Sequence, residues 1–222
     1  MHSYTLDEAR ILVLKCAKLY EQNLLDKNYI IIYRDRADNT IKKLEVKFGK
    51  ENYQHLTGIE LLDENTTVRK HVAESFYNKC VNNKLAKKEI KFKNDGTTNL
   101  KLAALPVLMT MQKVTKITGD YNNSRPYLIA DKLIGNVNFC LGLKQTDHHQ
   151  YVPVSVLLEN IKKLTTVQSQ VLAVFSKKIC DEEYIDVRHV AKGINLHNII
   201  LPQDIIGKIS LDNYIPNAQS KK

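Results

Sequence analysis

Apolar positions in the first quarter of the chain fall at helical spacing and then at strand spacing. Leu6, Ala9, Val13, Cys16, Ala17, Tyr20 and Leu24 recur at intervals that place them on one face of a helix. Thr5 and Glu8 stand at capping-box spacing at its start, so the pattern predicts a helix running to about Lys27. The β-branched and aromatic run Tyr29-Ile30-Ile31-Ile32-Tyr33 follows, and then Leu44, Val46 and Phe48 alternate with charged residues. With the polar link 34–40 between them, these two runs predict a hairpin. Residues 1–49 are thus expected to form a helix and hairpin packed on a main domain at 50–200.

The segment Tyr53-Gln54-His55-Leu56-Thr57-Gly58 is expected at a junction between a strand and a helix. The next helix would start at Thr66 or Thr67, with Val68, Val72, Phe76 and Cys80 recurring every four residues and Arg69, His71, Tyr77 and Lys79 on its other faces. Asn94-Asp95-Gly96 reads as a turn. Leu100, Ala103, Ala104, Val107, Leu108, Met111 and Val114 give another amphipathic stripe, in which Pro106 must kink the helix or start its second part. Met109 and Met111 read as core filler. From Ile117 the period shortens to strand-like pieces at 127–133, 137–143, 151–157 and 171–175, with a weaker one at 184–190. Breaks fall at Gly119-Asp120, Gly135-Asn136 and Asp147-His148. Helices early and an antiparallel sheet late predict an α+β fold. Residues 201–222 are expected as a C-terminal extension whose last part, 217–222, is a frayed tail.

Composition narrows the function classes. The 222 residues are 43% hydrophobic, which suits a globular core, and no apolar run approaches the roughly 18 residues of a membrane span. The N-terminus leads into an acidic helix start rather than a signal peptide, so a soluble, cytoplasmic protein is expected. Cys16, Cys80, Cys140 and Cys180 lie far apart among apolar neighbours, and they read as buried free thiols rather than metal ligands or a disulfide framework. The formal charge of +9 favours polyanionic partners. Residues 84–116 hold Lys84, Lys87, Lys88, Lys91, Lys93, Lys101, Lys113 and Lys116 against only Glu89 and Asp95, which suits either a solvated face or a phosphate-contacting surface.

No glycine-rich phosphate loop, serine elbow or zinc helix is present in the sequence, and no cofactor is indicated. The adjacent His148-His149 reads as a loop tip and Glu182-Glu183 as a charged turn. What remains are polar groups beside structural breaks. His55 and Thr57 precede Gly58, Tyr127 and Lys132 frame an apolar run, and Ser176 and Lys177 end another. An imidazole titrates near neutral pH, which makes His55 a natural acid-base group.

The serial order of these motifs resembles the phage-encoded branch of the Barnase-EndoU-Colicin-RelE-like nucleases. The stretches are 53–59, Phe76-Tyr77, 131–136 followed by Cys140-Leu141-Gly142-Leu143, then Tyr151-Val152-Pro153 and Val174-Phe175-Ser176-Lys177-Lys178. The resemblance covers roughly residues 50–190. It implies a ribonuclease-like fold, with N-terminal helices followed by a curved antiparallel sheet, that acts on RNA without a metal and is encoded by a phage or mobile element, placing the protein in the host cytoplasm. It also implies a catalytic set of His55, Thr57, Lys132, Ser176 and Lys177. Tyr77, Tyr127 and the lysines Lys84, Lys87, Lys88 and Lys91 would bind substrate. RNA is the favoured partner, with a host protein or a cognate antitoxin as others and no membrane. The competing expectation is a catalytically silent module that binds nucleic acid or inhibits a host protein, supported by the absence of arginine from the basic window.

Overall fold

A computed structural model describes residues 2–216, so the expected frayed tail at 217–222 lies outside the described residues. Helix α1 (Leu6–Asn23) opens with the predicted capping box: Thr5 Oγ1 accepts from the Glu8 amide and the Glu8 carboxylate accepts from the Thr5 amide. Such a cap is worth about 1 kcal/mol. The helix ends at Asn23 rather than Lys27, because Asp26 takes a positive φ of 58° and turns the chain into β1 (Lys27–Arg34). β1 pairs antiparallel with β2 (Ile41–Lys47), as the hairpin pattern requires.

The region after β2 departs most from the sequence pattern. His55 lies within a short helix, α2 (Lys50–Thr57), and not at a strand-to-helix junction. β3 (Ile59–Leu61) follows, then a loop, then α3 (Ala73–Val81), which starts well after Thr67. The four-residue spacing had included Val68, whose place is instead an isolated bridge to Leu62. Asp63 holds this loop by accepting from the amides of Asn65 and Thr67, and Thr66 and His71 both take positive φ. A helix cannot pass through such residues.

β4 (Ile90–Phe92) pairs with β3, the turn at Asn94-Asp95-Gly96 forms as expected, and α4 (Thr98–Leu108) runs two residues past Pro106. α5 (Met111–Val114) completes the helical part, and Met109 and Met111 are buried core residues as their positions suggested. Then come β5 (Ile117–Asp120), β6 (Lys132–Gly135), β7 (Cys140–Gln145), β8 (Tyr151–Leu157), α6 (Ile161–Leu164), β9 (Ser169–Lys178), β10 (Asp186–Val190) and α7 (Gln203–Ile206). The expected break at Gly119-Asp120 is a strand. The expected strand 127–133 is paired only from Lys132.

The class is α+β with helices toward the N-terminus, and the sheet closes on itself. Its order β1-β2-β8-β7-β6-β5-β9 returns to β1 through a β1–β9 ladder, so seven strands close into a barrel-like ring with β10 appended to β9. One contact, Val46 against Tyr151 between β2 and β8, is parallel, so the sheet is not purely antiparallel. Closure follows from the burial of β1 on both faces. Tyr29, Ile31 and Tyr33 join a core shared with α1 to α4, whereas Ile30 and Ile32 pack with Tyr184, Leu196, Leu201, Ile205, Ile209 and Tyr214. A strand so enclosed has no solvent-facing edge, which removes an aggregation hazard. Among the thiols, Cys16, Cys80 and Cys140 are buried and free, but Cys180 is exposed because it sits in the turn after β9.

An aromatic cluster fixes α2 in place. Tyr20, Tyr53, Phe76 and Tyr77 are fully buried with ring centroids 5.0–6.1 Å apart. Tyr53 Oη donates to the Val13 carbonyl at 2.6 Å and Tyr20 Oη to the Gly49 carbonyl at 2.9 Å. At about 100° per residue, His55 is turned some 200° from Tyr53. The buried side of α2 therefore aims Gln54 and His55 outward.

Candidate active site

A cavity of about 180 Å³ opens where α2 ends, lined by Gln54, His55, Gly58, Ile59, Glu60, Val68, Arg69, His71, Lys93 and Lys101. Gly58 makes this junction possible. It closes α2 in the left-handed conformation at φ 70°, and a Cβ there would stand 3.0 Å from Thr98 Cα. Thr98 Oγ1 donates to the Gly58 carbonyl at 2.7 Å and accepts from the Lys93 amide at 3.1 Å. One threonine thus ties α4 and the end of β4 to the end of α2. It brings Lys93 and Lys101 beside His55.

Lys101 forms the floor. It is 8% exposed, and its Nζ donates to the His55 carbonyl at 2.8 Å. Burial and then the neighbouring Lys93 charge lower its pKa, with Asp95 opposing. His55, at the rim, also has a lowered pKa, through partial burial first and then the charges of Lys101 and Lys93. Its ring is therefore neutral at physiological pH and free to accept a proton. Arg69 is placed by its amide, which donates to the Leu61 carbonyl at 2.9 Å, and His71 by its left-handed backbone. Both are exposed at the mouth. Arg69 and Lys101 have no carboxylate partner among the described residues, Lys93 has Asp95 at 3.7 Å, and the one lining carboxylate, Glu60, is engaged by Lys91 at 3.6 Å. The cavity holds two imidazoles and three cations. Charge of that kind is costly to gather unless an anion is to be received.

The other residues singled out from sequence do not join this cavity. Thr57 is buried, donating to the Gln54 carbonyl at 2.8 Å and accepting from the Ile59 amide at 3.1 Å, so it secures the helix end. Lys132 Nζ donates to Asp120 Oδ1 at 2.6 Å. Ser176 is fully buried and accepts from Arg188 Nε at 2.7 Å, and Lys177 Nζ donates to the Glu182 carbonyl at 2.7 Å above the Tyr184 ring. Lys132 and Ser176 also stand apart from each other. Lys132 is opposite Asp120, Thr118 is opposite Ser169, and Ser176 lies seven residues further along β9 in the opposite direction. At about 3.3 Å per residue this places them near opposite ends of β9, roughly 30 Å apart along the strand.

Tyr77 is enclosed in the aromatic cluster, with its hydroxyl 3.5 Å from Glu21, and its pKa is raised by burial and then by Glu21. Tyr127 is 74% exposed with Arg125 beside its ring. The basic window is not one free surface. Lys87 pairs with Asp7 and Lys91 with Glu60, whereas Lys84 and Lys88 point to solvent. His71 and Arg69 carried no useful signal in the sequence, since their apolar neighbours suggested a helix face. Lys93 and Lys101 were visible only as members of a charge run.

Imidazoles set beside clustered cations are equipment suited to a phosphodiester. The model of the phage-Barnase-EndoU-ColicinE5/D-RelE like nuclease 4 family matches residues 12–193, and the chain belongs to that family. Neither the curated proteins nor the solved structures contain a match to the chain. Among the described residues no helix is long and apolar enough to cross a membrane.

Proposed function

We propose that the protein is an endoribonuclease that cleaves by attack of the ribose 2′-hydroxyl on the adjacent phosphate, with His55 and His71 as the acid-base pair. The observation that carries this reading is the convergence of both imidazoles with Arg69, Lys93 and Lys101 on one cavity. The reaction requires a base for the 2′-hydroxyl, an acid for the departing 5′-oxygen, and positive charge at the non-bridging oxygens. His55, whose ring is held neutral, takes the proton from the 2′-hydroxyl. His71, exposed at the mouth, supplies the proton to the 5′-oxygen. Lys101 is already fixed by its bond to the His55 carbonyl, so it needs no reorganisation as charge grows on the phosphorane. Arg69 at the mouth presents a planar fork suited to bidentate phosphate contact. No step in this scheme calls for a metal ion.

Purified protein incubated with RNA in excess chelator tests the reading. The expected products carry 2′,3′-cyclic phosphate ends, and their formation falls with either His55→Ala or His71→Ala. Products with 3′-hydroxyl ends would refute transesterification.

A further inference from the structure

A second group of cations lies where β10 meets β9. The β10 register slips between Val187 and His189, with Asp186 opposite Ser176 and His189 opposite Val174, so Arg188 is the extra residue of a bulge. Bulges re-aim side chains. Here Arg188 turns back over β9, where its Nε donates to Ser176 Oγ at 2.7 Å and its Nη2 to Asp186 Oδ2 at 2.6 Å. Lys116 Nζ stands 2.9 and 3.1 Å from the two ring nitrogens of the next residue, His189. Lys27, at the start of β1, completes the group. In the β1–β9 ladder it stands opposite Lys178, two positions from the pair Tyr29–Ser176, and its Nζ donates to the Gln22 carbonyl.

Neither Lys27 nor Lys116 has a carboxylate partner among the described residues, and Asp186 pairs with Arg188. Helix α5 packs against β10. This group is separate from the cavity at His55. α4 links the two: Lys101 lines the cavity, and the Met109 carbonyl at the other end of the helix accepts from Asn23 Nδ2 at 3.2 Å, near the turn into β1. That span is about 12 Å of helix, and Lys113 and Lys116, both exposed, lie beyond it.

We infer that Lys27, Lys116 and Arg188 form a second phosphate subsite that holds the RNA backbone several nucleotides from the bond cleaved in the cavity. The inference rests on the nuclease reading for its ligand, and it is tested without turnover. The probe is 2′-O-methyl RNA, which lacks the attacking hydroxyl, used as a strand of about 12 nucleotides and as a dinucleotide. With Lys27→Met and Lys116→Met together, affinity for the long strand falls about tenfold and its dependence on log salt flattens by roughly two phosphate contacts, while dinucleotide affinity changes less than about twofold. A thermal melt of the double variant confirms that it is folded. Unchanged affinity and salt slope for the long strand would overturn the inference. So would an equal loss for both lengths, which would place the lysines in the cavity, or no RNA binding by the unsubstituted protein. Protein that binds the long strand in this lysine-dependent way but leaves unmodified RNA intact would refute the cleavage reading and leave the subsite standing.

Discussion

Replacing Lys101 by methionine separates the chemistry of the cavity from its architecture. The side chain is 8% exposed, and its ammonium makes one hydrogen bond, 2.8 Å to the His55 carbonyl. Losing a bond from a charged donor costs roughly 1.5–3 kcal/mol. Methionine has similar length, however, and removes a charge whose burial beside Lys93 already disfavours its protonated form. Replacing buried charge with an apolar side chain commonly returns a similar amount, so net stability should move by about 1 kcal/mol or less, a melting shift of roughly 2–4 °C. Catalysis should respond far more. Removing a preorganised donor from developing oxyanion charge costs about 2.7–4 kcal/mol, a fall of 10²- to 10³-fold in rate. Single-turnover cleavage of labelled RNA, paired with a thermal melt, reads both quantities. Cleavage within about threefold of the parent, or a collapse in melting temperature with full activity in the folded fraction, would refute the assignment of Lys101 to the transition state.

Other consequences can be checked separately. The His189 pKa is lowered to about 4 by burial and by Lys116, so the unfolded chain binds the proton more readily, and stability present above pH 6.5 declines as pH falls from 6.5 toward 4. Because the residue is partly exposed, the loss between pH 7 and pH 5 should be about 1 kcal/mol, and chemical denaturation of His189→Asn should show a correspondingly smaller loss. Gly135→Ala should cost several kcal/mol or abolish soluble expression, since a Cβ there would stand 2.0 Å from the Phe139 carbonyl oxygen at a φ of 154°. Lys132→Met and Lys177→Met should each leave RNA cleavage within about twofold, because their ammonium groups are engaged by Asp120 and Glu182 outside the cavity. A hundredfold loss in either would restore them to the mechanism.

The fold was legible where a single period governed local structure. α1, the β1–β2 hairpin and β8 follow their patterns because capping, alternation and burial agree there. The stretch 50–72 was not legible, since α2 is only eight residues long and its identity depends on Tyr53 reaching Val13, forty positions away. Val68 kept helical spacing by chance while positive φ at Thr66 and His71 excluded a helix. Closure of the ring could not be read either, because the β1–β9 ladder joins strands more than a hundred residues apart. Of the candidate site, His55 was visible as an imidazole beside a glycine, but its neighbours arrive from β4, α4 and an irregular loop. Ser176 and Lys177 were noticed as polar residues ending an apolar strand, and they stand instead at the edge of the second cation cluster, where Ser176 holds Arg188.

The central claim is that one cavity supplies both proton-transfer groups for RNA cleavage. It is tested most directly by measuring the rate at which RNA acquires 2′,3′-cyclic phosphate ends, in chelator, with the parent protein, His55→Ala, His71→Ala and the double variant. The account predicts a fall of about 10²- to 10⁴-fold for each single substitution and little further loss in the double, as expected of residues acting as one unit. Parent-like cleavage by the double variant would contradict it.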